Sequence, residues 1–328
     1  MQAAQQEQPD PPGVLFDSSL NGGVDQVLAL AMLFHLQATR SVRLASISTG
    51  DFNLKNAAFL DAVARFYSGG QAGYSPGRRM LPVGMATSGA PSDMASPMVS
   101  AVLAKSGPDG QPAYPHTVHG LTDTADAAAV TRNALMAYED QNAVVILGGA
   151  PTNLVSLLDL PDGADWAARK VRVLSIAGGR FDGGAADPVL AANVAAFRRL
   201  LADWPTPIVL AGLELNVLTF PGIHLDEISG GSPDHPIVDA YRAAGSTPYD
   251  APTRALAAML HAIRPDEGYY ELSEPGTVSL LDDGTTRFTP SPQGRHRYLS
   301  VRSGSEARVL ETYTTLLSAP PEDEPFRR

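Results

Sequence analysis

Short apolar runs alternate along the chain with longer stretches of helical periodicity. We predict strands at Val14–Asp17, Val42–Ser48, Leu81–Val83, Ala143–Leu147, Val171–Ile176 and Pro207–Ala211. We predict helices at Val24–Leu36, Leu54–Tyr67, Ala125–Glu139, from Leu154 onward, Ala191–Ala202 and Pro252–Ile263. This alternation is typical of βα units, so it predicts an α/β fold with a largely parallel central sheet flanked by helices.

Two regions depart from the alternation. The stretch from Met85 to Thr124 is rich in Gly, Pro, Ser and Met and has no sustained periodicity, which predicts a long loop, either a lid or a slack insertion. The residues after Gly268 read as β-hairpin material, with a turn at 282–284. No shift in composition marks a linker. We therefore predict one domain over residues 13–318, between a disordered tail at 1–12 and a frayed tail at 319–328.

Composition excludes several classes of protein. The net charge is −11 and there is no dense Lys/Arg block, which argues against a nucleic-acid partner. No apolar run approaches the roughly 18 residues that span a bilayer. The absence of cysteine excludes disulfides, thiolate catalysis and cysteine zinc sites. The polar tail fits either a stub left after signal removal in an exported bacterial protein or a cytosolic terminus, and we favour export.

Polar groups follow the predicted strands at four places. The stretch Val14–Leu30 is the most informative, because an apolar strand ends at Asp17 and a Gly-rich turn then leads past Asp25 into a helix. Ligands of α/β proteins bind at the carboxyl ends of the strands. Three further segments are expected on the same rim: Thr49–Asp51, Gly149–Asn153 and Tyr249–Pro252.

Each of these residues also has a purely structural interpretation. Asp25 is an acid in the first turn of a helix, where the helix dipole favours it. Asp17 is a turn former. Thr152 would cap the helix from Leu154, and Asp250 would be an N-cap acid ahead of a first-turn proline. The residues alone leave both interpretations open.

The segment Val14–Leu30 resembles the opening of the nucleoside hydrolases, the inosine–uridine-preferring N-ribohydrolase family. There an Asp-x-Asp-Pro-Gly-x-Asp-Asp signature helps to hold a calcium ion and a ribose. Gly149–Asn153 looks like the family's Gly-Pro-Leu-Thr-Asn turn, and Tyr249–Pro252 like its His-Asp-Pro motif. The resemblance covers roughly Val14 to Ile263. It implies the nucleoside-hydrolase architecture, with an active cleft at the strand carboxyl ends.

The resemblance implies a calcium site that departs from the family pattern. Asp17, Ser19, Gln26, the Thr152 carbonyl and Asp250 match the ligand positions. The family has acids where this chain has Ser19 and Gln26. Calcium takes about 6–8 oxygens and gains most of its affinity from carboxylate charge. We therefore expect calcium binding to be weakened or lost.

The resemblance also implies residues that contact the substrate. Asp25 matches an acid that binds ribose hydroxyls, and Asp51 matches an Asn that contacts the sugar. Asp187 matches the Glu of an Ala-Glu-Phe-Asn segment. The Asn that follows in that segment is replaced by Val189, with Asn193 as a stand-in.

Two further residues match positions near the leaving group. His119 matches a His-Gly turn that reaches toward the substrate, although a loop histidine is more often simply exposed. Tyr249 stands where the family often has a His that helps the leaving group to depart. A phenol, with an ordinary pKa of about 10, donates a proton less readily at neutral pH.

The resemblance implies hydrolysis of the N-glycosidic bond of nucleosides or ribosides by a metal-activated water. Asp17, Asp25, Asp250, His119 and Tyr249 would carry the chemistry. One alternative is a descendant that binds a sugar or nucleoside without turnover. Another is a hydrolase of a different glycoside with a site rebuilt around Asp17 and Asp51. The expected partner is a small-molecule nucleoside or riboside, with neither nucleic acid nor membrane, and the family's dimers and tetramers suggest a homo-oligomer.

Overall fold

The computed structural model describes residues 10–20, 23–68 and 81–318. Apart from residues 10–12, the tails predicted at 1–12 and 319–328 lie outside the described residues. The strands are β1 (Gly13–Asp17), β2 (Arg43–Thr49), β3 (Val83–Met85), β4 (Ala125–Asp126), β5 (Ala143–Leu147), β6 (Val171–Ala177), β7 (Ile208–Ala211), β8 (Thr219–Phe220), β9 (Ala251–Pro252), β10 (Tyr270–Leu272), β11 (Gly276–Leu280), β12 (Thr286–Pro290) and β13 (His296–Val301). The α-helices are α1 (Val24–Ala38), α2 (Leu54–Tyr67), α3 (Pro97–Ala104), α4 (Ala127–Met136), α5 (Thr152–Asp159), α6 (Gly163–Lys170), α7 (Pro188–Ala192), α8 (Val194–Asp203), α9 (Leu225–Ser229), α10 (Pro236–Ala244), α11 (Arg254–Ile263) and α12 (Glu306–Leu317).

The central sheet has the strand order β12-β11-β13-β7-β6-β5-β1-β2-β3-β4, with β10 paired to β13. Every neighbouring pair from β13 through β4 is parallel. The hairpin β11–β12 and strand β10 add antiparallel pairs at one end of the sheet. The predicted α/β fold with a largely parallel sheet is therefore confirmed. Strands β8 and β9 form a separate two-stranded sheet.

Helices cover both faces of this sheet, and β5 shows why its sequence reads as a continuous apolar run. Val144 and Ile146 pack into the cluster that contains α1 and α11. Val145 and Leu147 pack into the opposite cluster, which contains α5 and α8. A strand buried on both faces needs apolar side chains at consecutive positions. Among the described helices, none is long and apolar enough to cross a membrane.

Three element predictions need correction. The stretch predicted as a loop contains α3, which has only eight residues and is apolar at every position except Ser100, so it shows little polar–apolar periodicity. Ser96 caps this helix by accepting from the Val99 N–H at 3.3 Å. The single helix predicted at Ala191–Ala202 is divided at Asn193 into α7 and α8. The C-terminal region forms the predicted hairpin but then ends in α12.

Two methionines on helices provide a test of the packing of α11. Met259 is 0% exposed on α11, whereas Met136 is 52% exposed at the end of α4. We expect Met259→Ala to lower the free energy of unfolding by about 2–5 kcal/mol, because it leaves a cavity in a close-packed core. The matched variant Met136→Ala should change it by less than about 0.5 kcal/mol. Urea unfolding of both variants measures the difference, and equal losses would contradict this packing.

Candidate functional site

Asp17 and Asn153 form the centre of a polar network at the carboxyl ends of β1, β2 and β5. Asp17 is the last residue of β1 and only 4% exposed. Its two carboxylate oxygens lie 3.2 and 3.0 Å from the Asn153 Nδ2, which donates to them. The same nitrogen lies 2.9 Å from the Thr49 carbonyl oxygen at the end of β2. One amide therefore connects the start of α5 to two strand ends.

The environment of Asp17 shifts its ionisation to neutral pH. Burial raises the pKa of Asp17 to about 7, and the negative charge of Asp51 adds to the rise, while hydrogen bonds from Asn153 and Ser48 lower it. Asp51 is half-buried on the turn after β2 and lies 3.4 Å from the Asn56 Nδ2. A carboxyl group with a pKa near the working pH is suited to act as a general acid or base.

The loops after β1, β2 and β5 pack backbone against backbone around this network. Ser19 accepts on its Oγ from the Ala150 N–H at 2.8 Å, and its carbonyl oxygen accepts from Asn56 at 2.9 Å. A Cβ on Gly149 would lie 2.3 Å from the Ser19 backbone nitrogen, and one on Gly50 would lie 2.4 Å from the Ala150 carbonyl oxygen. Glycine is required at both positions because of these close approaches.

Gln26 stabilises the turn after β1 from the first turn of α1. Its Oε1 accepts from the Ser18 hydroxyl at 2.6 Å and from the Leu20 N–H at 2.9 Å. Leu20 has a φ of 57°, a left-handed conformation that few residues other than glycine adopt readily. The amide oxygen of Gln26 is thus engaged by the protein itself.

A second polar cluster joins α1, α7 and α11, and its residues are Asp25, Asp187 and Arg254. Asp25 is 2% exposed and accepts on Oδ2 from the Ala255 N–H at 2.9 Å. Arg254 donates from Nη1 to the Asp187 Oδ2 in a buried ion pair. Burial raises the pKa of Asp25, and the charge of Arg254 opposes that rise. The guanidinium of Arg254 therefore supplies a positive charge between the acids of this cluster.

Asp187 also holds the chain around it. Its Oδ2 accepts from the Gly179 N–H at 3.1 Å after β6, and its Oδ1 accepts from the Val189 N–H at 2.8 Å at the start of α7. Both oxygens of this predicted substrate ligand are engaged by protein groups. Asn193 donates from its Nδ2 to the Val189 carbonyl oxygen at 2.9 Å, between α7 and α8.

Asp250 and Tyr249 have partners outside both clusters. Asp250 is exposed and accepts on Oδ1 from the Gly222 N–H at 3.2 Å. Tyr249 donates from its hydroxyl to the Tyr241 carbonyl oxygen at 2.9 Å, and the two rings are stacked with centroids 4.5 Å apart. Burial raises the pKa of Tyr249 to about 12, which makes its phenol a weaker acid still.

His119 lies on the surface of the segment between α3 and α4. Its backbone N–H donates to the Asp123 Oδ2 at 2.9 Å, and its ring centroid is 4.9 Å from that of His116. The structure therefore brings together Asp17, Ser19 and Asp51, and separately Asp25 and Asp187. None of the contacts described for His119, Tyr249 or Asp250 joins them to either group.

Two helix-cap interpretations from the sequence are wrong. Helix α5 begins at Thr152 itself rather than near Leu154, and no side chain caps it. Helix α11 begins at Arg254, after Thr253, so Asp250 is not its N-cap. The pairing of β9 with β8 holds the intervening residues in an extended conformation.

Three residues that build the site were assigned no individual role in the sequence analysis: Asn153, Asn56 and Arg254. The two asparagines lie in or near polar turns that resemble ordinary helix starts. Arg254 carried a signal, because it is the lone cation at the start of an otherwise apolar helical stretch. A charge at the buried end of such a helix needs a partner.

The predicted calcium ligands do not fit a calcium ion. Ser19 and Gln26 each accept hydrogen bonds from protein groups, and Asp250 is exposed with a different partner. Asp17 accepts side-chain hydrogen bonds from Asn153 and Ser48, and Thr152 begins α5. Within residues 10–20, 23–68 and 81–318, no group of three His, Cys, Asp or Glu is placed to hold a metal. Calcium needs a larger set of converging oxygens.

Comparison with known proteins identifies the fold. No protein-family model and no curated protein matches the chain. A plant nucleoside hydrolase matches with a TM-score of 0.65 and 18% identity, over 94% of this chain and 100% of that one. An inosine-guanosine nucleoside hydrolase matches at 0.68 and 15%, over 93% and 98%. The type III effector protein XopQ, solved with adenosine diphosphate ribose, matches at 0.64 and 14%, over 96% of each chain. The chain has the nucleoside hydrolase fold, as the sequence resemblance implies.

The approach of Gly149 to Ser19 can be tested with one methyl group. We expect Gly149→Ala to lower the free energy of unfolding by about 1–3 kcal/mol, because the Cβ overlaps backbone that has little room to move. Gly120→Ala is the matched control, since a Cβ there meets nothing closer than 3.8 Å. Chemical denaturation of both variants gives the comparison. A Gly149→Ala protein as stable as the control would contradict the close approach.

The raised pKa of Asp17 predicts a specific pH dependence of stability. The folded state binds the proton more tightly than the unfolded state, whose pKa is near 3.8, so Asp17 lowers stability progressively from about pH 4 to about pH 7. The full shift corresponds to roughly 4 kcal/mol. We expect Asp17→Asn to remove this part of the profile. Unfolding free energies of wild type and variant at pH 5 and pH 8 measure it, and parallel profiles would contradict the assignment.

Proposed function

We propose that this chain hydrolyses the glycosidic bond of a riboside, with the N-glycosidic bond of a nucleoside as the first candidate, and that Asp17 is the general base. The observation that carries the proposal is the pair of rim carboxylates, Asp17 and Asp51. One is buried with a pKa of about 7, and the other is half-exposed beside it. Most glycoside hydrolases use a pair of carboxylates whose different environments give them different catalytic roles.

The proposed reaction is a displacement at the anomeric carbon. The oxygen of a water forms a bond to that carbon while its proton passes to the Asp17 carboxylate. The bond from the anomeric carbon to the nucleobase breaks, and its electron pair leaves with the nucleobase. The departing nucleobase takes a proton from solvent. The transition state is oxocarbenium-like and positively charged, so the negative charge of Asp51 stabilises it. Every step uses groups of the chain, the substrate and water.

Three observations support this assignment. The carboxylates lie at the carboxyl edge of a parallel sheet, where α/β proteins bind ligands. The fold is shared with proteins named as nucleoside hydrolases. The buried Asn56 Oδ1 accepts no hydrogen bond from the described residues, so a sugar hydroxyl bound beside Asp51 would satisfy it.

A panel of nucleosides, including inosine and uridine, tests the proposal through release of ribose. Turnover should rise with pH through about 7, as Asp17 loses its proton. Asp17→Asn should lower turnover by about 10²–10⁴-fold, because it removes the base. Asp159→Asn is the control, an exposed acid at the end of α5. Turnover in Asp17→Asn equal to that of wild type would refute the role of Asp17.

A second candidate function is ligand binding without turnover. It is favoured because predicted metal ligands already accept hydrogen bonds from the protein. Ser19 and Gln26, which were expected to bind a metal, accept hydrogen bonds from protein groups, and a site without a metal-activated water is suited to binding a nucleoside or a ribose derivative without turnover. The fold neighbour XopQ was solved with adenosine diphosphate ribose. Calorimetric titration with nucleosides and adenosine diphosphate ribose distinguishes the two functions. Saturable binding without ribose release would establish the binding function in place of hydrolysis.

A further inference from the structure

Arg254 is a buried cation in the polar cluster with Asp25 and Asp187. Its side chain is 5% exposed, and that of its partner Asp187 is 0% exposed. A guanidinium withdrawn from water is costly unless acids and hydrogen bonds compensate it. Asp187 gains this compensation from Arg254 and from backbone N–H groups, and Arg254 gains it from Asp187 and from the charge of Asp25.

The two acids of the cluster need positive charge for the same reason. Asp25 belongs to α1 and is buried against the start of α11. There the Ala255 N–H and the positive end of the α11 helix dipole stabilise its negative charge. Asp187 receives N–H groups from Gly179 and Val189 in addition to the guanidinium. The compensation of both carboxylates is thus supplied by the chain.

A divalent cation would be the ordinary means of compensating buried acids at this rim of the sheet. Here both oxygens of Asp187 and the Oδ2 of Asp25 already accept from protein donors, and a guanidinium close to both acids would repel a second cation. We infer that Arg254 is the built-in cation of this site, which replaces a divalent metal and makes the site independent of one. The inference does not depend on whether the protein hydrolyses or only binds its ligand.

The first test is the thermal unfolding of the full-length wild-type protein, after treatment with a chelator and again with added calcium chloride. The melting temperature should be the same in both, because Arg254 already compensates Asp25 and Asp187. A ligand that binds only the folded state raises the melting temperature as its concentration rises. A calcium-dependent rise in wild type, or a fall on chelation, would overturn the inference.

The second test measures coupling between Arg254 and Asp187. We expect Arg254→Met to lower the melting temperature strongly, since it strands two buried carboxylates, and Asp187→Asn in the same protein to restore part of that loss. Such non-additivity is the signature of direct interaction. Additive effects of the two substitutions would overturn the inference. If Arg254→Met does not fold, recovery of a folded protein in the double variant shows the coupling, and the wild-type calcium titration decides in any case.

Arg169→Met is the control for loss of an arginine. Arg169 pairs with Asp140 at 2.9 Å, but both side chains are more than half exposed. Solvent screens such pairs, so we expect little change in the melting temperature. Arg254→Lys completes the set, because it keeps the charge and should lose less stability than Arg254→Met. A lysine variant as unstable as the methionine variant would show that the charge is not what Arg254 supplies.

Discussion

The compensation of buried carboxylates at the carboxyl edge of the sheet is the constraint on which the rest of this structure depends. Parallel strands whose two faces are covered by helices bury whatever follows them, and here acids follow β1 and precede α7. A carboxylate withdrawn from water must gain hydrogen bonds, opposite charge or a proton. Asp17 and Asp187 meet that requirement in different ways, and the difference divides the rim into a reactive part and a structural part.

Asp17 has an amide donor and no cation among its described partners. Asn153 orients the carboxylate and lowers its pKa, but burial and the neighbouring Asp51 outweigh that effect. The group is therefore ready to exchange a proton at neutral pH. Asp187 instead has the guanidinium of Arg254 and three backbone donors. Such an acid is fixed in place, and its contribution is to hold α7, α11 and the end of β6 together.

Much of the fold could be predicted from the sequence because strands that are buried on both faces of the sheet have continuous apolar sequences. The strand Ala143–Leu147 is a run of apolar residues, and its bounds were predicted without error. Helix α3 was not predicted because it is short and apolar at every position except Ser100, which leaves little polar–apolar periodicity. Helix α12 carried a readable signal in Val309, Tyr313 and Leu316, which lie on one face. The residues before α12 have the pattern of a β-hairpin, and that prediction was extended to the residues of the helix as well.

The site was less predictable because its partners are distant in sequence. The acids Asp17 and Asp25 were expected at the rim, and they are buried there. The hydrogen bond between Asp25 and Ala255 spans 230 positions, and no local pattern indicates it. The resemblance assigned a ligand role to Asp250, whereas the structure brings the helix that begins at Arg254 to the acids. The resemblance thus predicted an acid, Asp250, at the rim, whereas the structure has a cation there, Arg254, four positions further along the chain.

If Arg254 takes the place of a metal, as we infer, the site differs in the chemistry that it can perform as well as in how it is stabilised. A divalent ion both compensates acids and lowers the pKa of a bound water. A guanidinium supplies fixed charge and hydrogen-bond donors, but it has no open coordination position for water. Activation of water then falls to a side-chain base with a pKa near neutrality. Asp17 has that property because burial and the charge of Asp51 raise its pKa by more than the hydrogen bonds from Asn153 and Ser48 lower it. The buried arginine in one cluster and the raised pKa of Asp17 in the other are therefore consistent with each other under the inference that Arg254 takes the place of a metal.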